Sequence, residues 1–233
     1  MSVASVLFDL DGTLVDPAGS ITSGIRHALV AHGIPDPGEE NVEALVGPPL
    51  QVGLRTLEGV TDENIDSVIA AYRVRYAQVG MRQSTVYPGM REVLDGLRAA
   101  GIHVAVTTAK PLPIARELIA VQGLDSSLDA IHGNSSEGGS HGSSKAHIVA
   151  AALTQAKLDP AHCVVVGDRH YDLDAARDNG VRSIGVHWGF AQGDELDAAD
   201  FQVSTAAQLA HLLLGEQLAA ELNLEKQLQE GAQ

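Results

Sequence analysis

Residues 3–16 read VASVLFDLDGTLVD. Val3–Phe8 is apolar almost throughout, the composition of a strand covered on both faces by helices rather than on one. The chain turns acidic at the point where such a strand would end. Asp9 and Asp11 are two positions apart, so extended backbone projects both carboxylates to one side, and Gly12 permits the abrupt turn that follows. Open α/β sheets bind ligands outside the carboxyl ends of their strands. The stretch therefore predicts both a parallel sheet and the edge at which its chemistry sits. Two other readings of the acids exist. An EF-hand loop needs Gly at its sixth position, where this chain has Leu14. A polar strand end with solvated carboxylates is the plain alternative.

Working outward, Ile102–Thr107, Leu128–His132, Cys163–Val166, Val181–Val186 and Phe201–Val203 repeat the short apolar pattern, with helical stretches between them. Met90, Val93, Leu94 and Leu97 recur at helical spacing and stop at Gly101. Ile114, Leu118 and Val121 stop at Gly123, and Leu173 and Ala176 precede Gly180; each glycine suits a left-handed helix end. Between Pro17 and Pro88 the pattern changes to amphipathic helices, such as Ile21/Ile25/Leu29 and Ile65/Ile69/Tyr72/Tyr76 with Thr61 as its N-cap, and no strand is expected. The expected fold is α/β: a Rossmann-like parallel sheet with helices on both faces, made of residues 1–16 and 89–205, and a small all-helical cap, residues 17–88, inserted after strand one. Leu209, Leu213, Leu218 and Leu222 predict a C-terminal helix or tail over 206–233, broken at Gly215. Gly133–Ser144 is a Gly/Ser-rich loop that fits no phosphate-binding GxxxxGK[ST] pattern.

The chain has 233 residues, and its 15 Lys+Arg against 30 Asp+Glu give a net charge of −15. That balance argues against nucleic acid or an anionic membrane as partner, since both call for a basic face. No apolar run approaches the roughly 18 residues of a membrane span. The N-terminus lacks a basic leader, so no signal peptide is expected. The single cysteine, Cys163, excludes an internal disulfide or a zinc cluster within the chain. A reducing, cytoplasmic setting is expected.

A second acidic cluster follows another apolar strand: Val164-Val165-Val166-Gly167-Asp168-Arg169-His170-Tyr171-Asp172. Taken singly, Asp168 reads as a helix N-cap and Asp172 as an acid of the first helical turn. With Asp9 and Asp11 they gather four carboxylates at one sheet edge, where mutual repulsion is relieved by a hard divalent cation. Oxygen ligands without His or Cys at metal spacing select Mg²⁺. Thr108 and Lys145, each at a strand or helix end, supply a hydroxyl and an ammonium suited to phosphate oxygens.

DxDGT, a strand-end Thr, a Lys and GDxxxD, in that order, resemble the haloacid dehalogenase-like hydrolases over nearly the whole chain. The resemblance implies that Asp9 is a nucleophile and Asp11 a general acid/base. It implies that Thr108 and Lys145 bind the phosphoryl group, with Thr107 as rival for the threonine role. Asp9, Asp11 through its backbone carbonyl, and Asp168 would ligate Mg²⁺, with Asp172 supporting directly or through water. Gly12, Thr13, Ala109, Lys110 and Arg55 are the candidate substrate contacts. Asp11 stands where halide-displacing members carry an aromatic residue, and residues 17–88 contain no lysine for the Schiff base of phosphonate-cleaving members. Val46-Gly47-Pro48-Pro49-Leu50, Ser144-Lys145-Ala146-His147-Ile148 and GDRHYD look most like the phosphoglycolate phosphatase and 5′-nucleotidase-like branch. Two departures stand out: Ala109 replaces a frequent Ser or Asn, and Ala146 replaces a frequent Pro. The expected activity is Mg²⁺-dependent hydrolysis of a small phosphorylated metabolite through an aspartyl-phosphate. The rivals are a phosphosugar mutase of the same fold and a non-catalytic scaffold. The sequence gives no reading of oligomeric state.

Overall fold

The computed structural model describes residues 3–134 and 144–215. Its strands are β1 (Ser5–Phe8), β2 (Val15–Asp16), β3 (Thr85–Val86), β4 (His103–Pro111), β5 (Ala130–Asn134), β6 (Cys163–Gly167), β7 (Arg182–Val186) and β8 (Phe201–Val203). Its α-helices are α1 (Ser20–Ala31), α2 (Glu39–Glu43), α3 (Leu50–Leu54), α4 (Ile65–Arg75), α5 (Met81–Gln83), α6 (Met90–Ala99), α7 (Leu112–Val121), α8 (Ala146–Ala156), α9 (His170–Asp178) and α10 (Ala206–Leu214). Six strands form one sheet in the order β5-β4-β1-β6-β7-β8, and every adjacent pair is parallel. This is the Rossmann-like α/β architecture with helices on both faces.

The faces follow from the period-two alternation of strand side chains. Val6, Phe8, Val104, Val106, Val164 and Val166 pack on one side, against Leu94 and Leu97 of α6 and Leu209 and Leu213 of α10. Leu7, Ala105 and Val165 pack on the other, against Val149 and Ala152 of α8 and Ala176 of α9. All four residues of β1 are buried, so the hydrophobic term, about 1.5–3 kcal/mol for a fully buried Val, Leu or Phe, acts on both faces of the central strand. Gly101, Gly123 and Gly180 all have positive φ, as helix-terminating glycines do.

Helices α1 to α5 lie between β2 and β3, two-residue strands that pair antiparallel through Val15↔Val86 and Asp16↔Thr85. This pairing brings together the points where the chain leaves the sheet region and returns. It is a correction to the strand-free expectation for 17–88: a two-residue strand is too short to show any periodicity. Thr61 does not cap α4, which begins at Ile65 after Asn64; Thr61 accepts backbone bonds in the turn before it. Strand β4 also runs past Thr107 to Pro111, with a register shift between Thr107 and Pro111. Of the Gly/Ser-rich stretch Gly133–Ser144, only Gly133, Asn134 and Ser144 are described, the first two as the end of β5 and not as loop, and Leu218 and Leu222 lie outside the described residues. Among the described residues no helix is long and apolar enough to cross a membrane.

Candidate active site

Strands β1, β4 and β6 are neighbours, so their carboxyl ends deliver Asp9, Thr108 and Asp168 to one edge. The backbone N–H of Asp9 donates to the Val166 carbonyl at 2.9 Å, which ties the two acidic loops together. Asp9, Asp168 and Asp172 each offer a carboxylate oxygen within 4.8 Å of the others. All three are buried.

Lys145, the residue before α8, sits among them. Its Nζ lies 2.8 Å from Asp9 Oδ1 and 2.7 Å from Asp172 Oδ1. Burial alone would lower its pKa, but Asp172 and then Asp9 outweigh that and hold it above the ordinary lysine range. With all three ionised, one ammonium against three carboxylates would leave a net charge of −2 in a buried site. The acids respond accordingly. Burial, then the charges of Asp9 and Asp172, push Asp168 up to about 8. Burial, reinforced by Asp9 and opposed by Lys145, pushes Asp172 up to about 6. Asp9 Oδ1 has no hydrogen bond of good geometry despite the nearby ammonium. An all-oxygen, electron-rich, under-satisfied set of this kind fits a hard divalent cation such as Mg²⁺.

The residues around the triad hold it in shape. Thr13 Oγ1 donates to Asp168 Oδ1 at 3.1 Å, and the Phe190 N–H donates to Asp168 Oδ2 at 2.8 Å. The Trp188 indole N–H donates to the Thr13 carbonyl at 3.1 Å, so the loop after β7 braces the loop after β1. Gly12 has φ +85°, and a Cβ there would stand 2.2 Å from Asp168 Oδ2. Backbone conformation and space therefore both demand glycine.

A cavity of about 460 Å³ opens beside the triad. Asp9, Asp11, Thr108, Ala109 and Lys110 form its floor, while Leu45–Val52 and the Asp66, Ile69, Tyr72, Arg73 and Tyr76 face of α4 and the turn after it form its roof. Thr108 lines the cavity and its neighbour Thr107 does not. The Thr108 hydroxyl accepts the Lys110 backbone N–H at 3.2 Å, and its own proton is free to turn to a ligand.

Several expected contacts fall elsewhere. Asp11 is outside the carboxylate triad: its Oδ2 pairs with Lys110 Nζ at 2.8 Å, and Oδ1 is buried without a hydrogen bond. Gly12 and Thr13 are not in the cavity wall, because their space and hydroxyl are committed to Asp168. Arg55 is also not in the wall; it follows α3 at the surface, half-exposed and paired with Asp62. The arginine that the helical segment brings to the cavity is Arg73.

Sequence reasoning passed over Arg169, although it lies inside GDRHYD. It is 3% exposed. Its Nε and Nη2 donate to Glu195 at 2.7 and 3.1 Å, and Nη1 donates to the Val46 carbonyl. It thus bolts the acidic loop after β6 to the roof loop. Its placement between Asp168 and a helix start was the available signal.

A family model for haloacid dehalogenase-like hydrolases matches residues 6–186. The tyrosine-protein kinase PtkA of Mycobacterium tuberculosis is 38% identical over 202 residues, covering 87% of this chain and 68% of that protein. A 5′-nucleotidase of Pseudomonas aeruginosa is 35% identical, covering 83% of this chain and 87% of its own. The crystal structure of a predicted phosphatase from Clostridium acetobutylicum superposes with a TM-score of 0.84 at 31% identity, covering 92% of this chain and all of that one. With its four motifs gathered at one sheet edge and this match across most of its length, the chain belongs to the haloacid dehalogenase-like hydrolases.

Proposed function

We propose that the protein is a phosphoric monoester hydrolase acting on a small phosphorylated metabolite, with Asp9 as nucleophile and Mg²⁺ as cofactor. The observation that carries this is the juxtaposition of Asp9 with Asp168, Asp172 and Lys145, beside a cavity that Asp9, Asp11 and Thr108 line. Phosphatase relatives agree with it. Residues 17–88 act as a cap that roofs the cavity.

Asp9, Asp168 and Asp172 would hold the cation, with the Asp11 backbone carbonyl as a further donor. When bound, the cation offsets phosphate charge and so weakens the repulsion that a carboxylate nucleophile meets. Lys145 and the Thr108 hydroxyl donate to phosphoryl oxygens, and Lys145 also fixes the rotamer of Asp9. Asp9 attacks phosphorus while the ester P–O bond breaks and Asp11 protonates the leaving oxygen. Asp11 then takes a proton from water, the water oxygen attacks phosphorus, and the Asp9–phosphate bond breaks to release inorganic phosphate. One carboxyl thus serves as acid and then base.

The cavity also bears on substrate size. A volume of about 460 Å³ is in the range of pockets for drug-sized ligands, far more than a two-carbon acid fills. Leu45, Val46, Pro49, Leu50, Ile69 and Tyr72 make much of its wall apolar. This favours a nucleoside monophosphate over phosphoglycolate. A panel of nucleoside monophosphates, phosphoglycolate and sugar phosphates, with Mg²⁺ or chelator, tests the whole reading. Phosphate release that needs Mg²⁺ and is fastest with a nucleotide is expected. Isomerised sugar phosphate without phosphate release would make the protein a mutase, and inertness toward every ester would make it a scaffold.

A further inference from the structure

The roof of the cavity holds a contact to the floor that substrate binding does not explain. Helix α4 gives way at Tyr76 to a five-residue π-helical turn, Tyr76–Gly80, a rare feature found mostly as single turns within helices and frequently at functional sites. The turn begins at Tyr76. Its ring stacks on Tyr72, with centroids 5.6 Å apart and planes 18° from parallel, and it is 2% exposed. A Cβ at Gly80 would lie 2.6 Å from the ring edge, so the glycine is what lets the turn close on the tyrosine.

From that position the Tyr76 hydroxyl accepts a hydrogen bond from Lys110 Nζ at 3.0 Å, and the ammonium lies 4.4 Å from the ring centroid. The same Nζ is 2.8 Å from Asp11 Oδ2. Asp11 therefore has one oxygen tied to Lys110, while Oδ1 is buried with no hydrogen bond, in a residue that lines the cavity. Lysine is a flexible four-carbon stem carrying a point charge. Pinned by Asp11 alone it retains several rotamers; pinned also by a rigid aromatic pair it has one.

We infer that Tyr76 is a positioning residue for the acid–base chemistry: from the helical roof it fixes Lys110, and through Lys110 the orientation of Asp11. The inference rests on the phosphatase reading with Asp11 as proton donor. Because Tyr76 belongs to the roof while Lys110 and Asp11 belong to the floor, Asp11 is fully oriented only with the roof in place.

Tyr76→Phe tests this, since it keeps the stacked ring and deletes only the hydroxyl, which meets Lys110 and Ser84. Protonation of the departing oxygen matters for an alkyl phosphate and little for p-nitrophenyl phosphate, whose leaving group departs unaided. The comparison is made in kcat/KM, which reports the step where the leaving group departs. Tyr76→Phe should lower kcat/KM about 10-fold for the best alkyl ester, a fraction of the roughly 10²–10⁴ that acid–base catalysis supplies. It should change p-nitrophenyl phosphate less than about twofold and lower the melting temperature by no more than a few degrees. In a Lys110→Met background, Tyr76→Phe should cost nothing further. Equal losses on both esters, no loss on either, or a full additional loss in the Lys110→Met background would each overturn the assignment. A wild-type protein that hydrolyses neither ester would instead overturn the phosphatase reading, and the role of Tyr76 with it.

Discussion

Lys145 Nζ lies 2.8 Å from Asp9 Oδ1, both side chains 3% exposed. The proposed nucleophile is thus held by a buried cation that also binds Asp172, and the negative charge of the pocket exceeds what this cation neutralises.

Removing that cation should be costly twice. Lys145→Met leaves three buried carboxylates without a counter-charge, and breaking a buried pair from one side costs about 3–5 kcal/mol. Chelated Lys145→Met should therefore melt well below wild type, and saturating Mg²⁺ should restore more of its stability than it adds to wild type. Turnover should fall about 10²–10³-fold, the scale of losing one oriented donor. Thermal melts with and without chelator, paired with phosphate-release rates, check both.

The raised carboxyl pKa values give a pH dependence with a definite sign. Asp168 near 8 and Asp172 near 6, against an ordinary 3.8, mean that between about pH 4 and pH 8 the folded protein binds more protons than the unfolded chain. Stability then falls as pH rises through that window. In chelator, the melting temperature should drop from about pH 5 to about pH 8. The stabilisation by Mg²⁺ should grow over the same interval, because cation binding displaces those protons. Asp168→Asn should flatten the chelated profile. A chelated melting temperature that climbs across the window would contradict the assignment.

Arg169 joins three segments, so its loss should be felt beyond packing. Arg169→Met frees Glu195 and the Val46 carbonyl and should cost about 2–3 kcal/mol in denaturant unfolding. Because Val46 belongs to the cavity roof, KM should rise at least as much as kcat falls.

Arg55 supplies the contrast. Its ion pair with Asp62 is half-exposed, and exposed pairs contribute about 0–1 kcal/mol. Arg55→Ala should leave kcat/KM within about twofold for every ester, whereas Arg73→Ala, in the cavity wall, should alter the ranking of substrates.

The sheet was legible in the sequence because a doubly covered parallel strand leaves a continuous apolar run, as Val164–Val166 does, and because its ends carry the acids. What escaped had no local signature. Val15–Asp16 and Thr85–Val86 form strands only through their pairing with each other. Tyr72 and Tyr76 have the spacing of a core stripe, and only the packing of α4 over the sheet edge makes them part of a cavity. Arg55, a candidate substrate contact for which a plain surface arginine is the stronger reading of the sequence alone, does lie at the surface, and Arg73 is the arginine in the cavity wall. Thr13 looked like a ligand contact, and its hydroxyl is instead used to hold Asp168. Charge could be counted from the sequence, but which acid faces a lysine and which faces another acid is a property of the folded edge.

The central claim is that Asp9 attacks phosphorus, and rapid acid quench of the protein during turnover of its best ester, followed by peptide mass spectrometry, addresses it directly. The account predicts phosphate covalently attached to the peptide containing Asp9 in the wild-type protein, with neither label nor turnover in Asp9→Asn, whose fold and melting temperature in chelator are retained. Undiminished phosphate release by Asp9→Asn would contradict it.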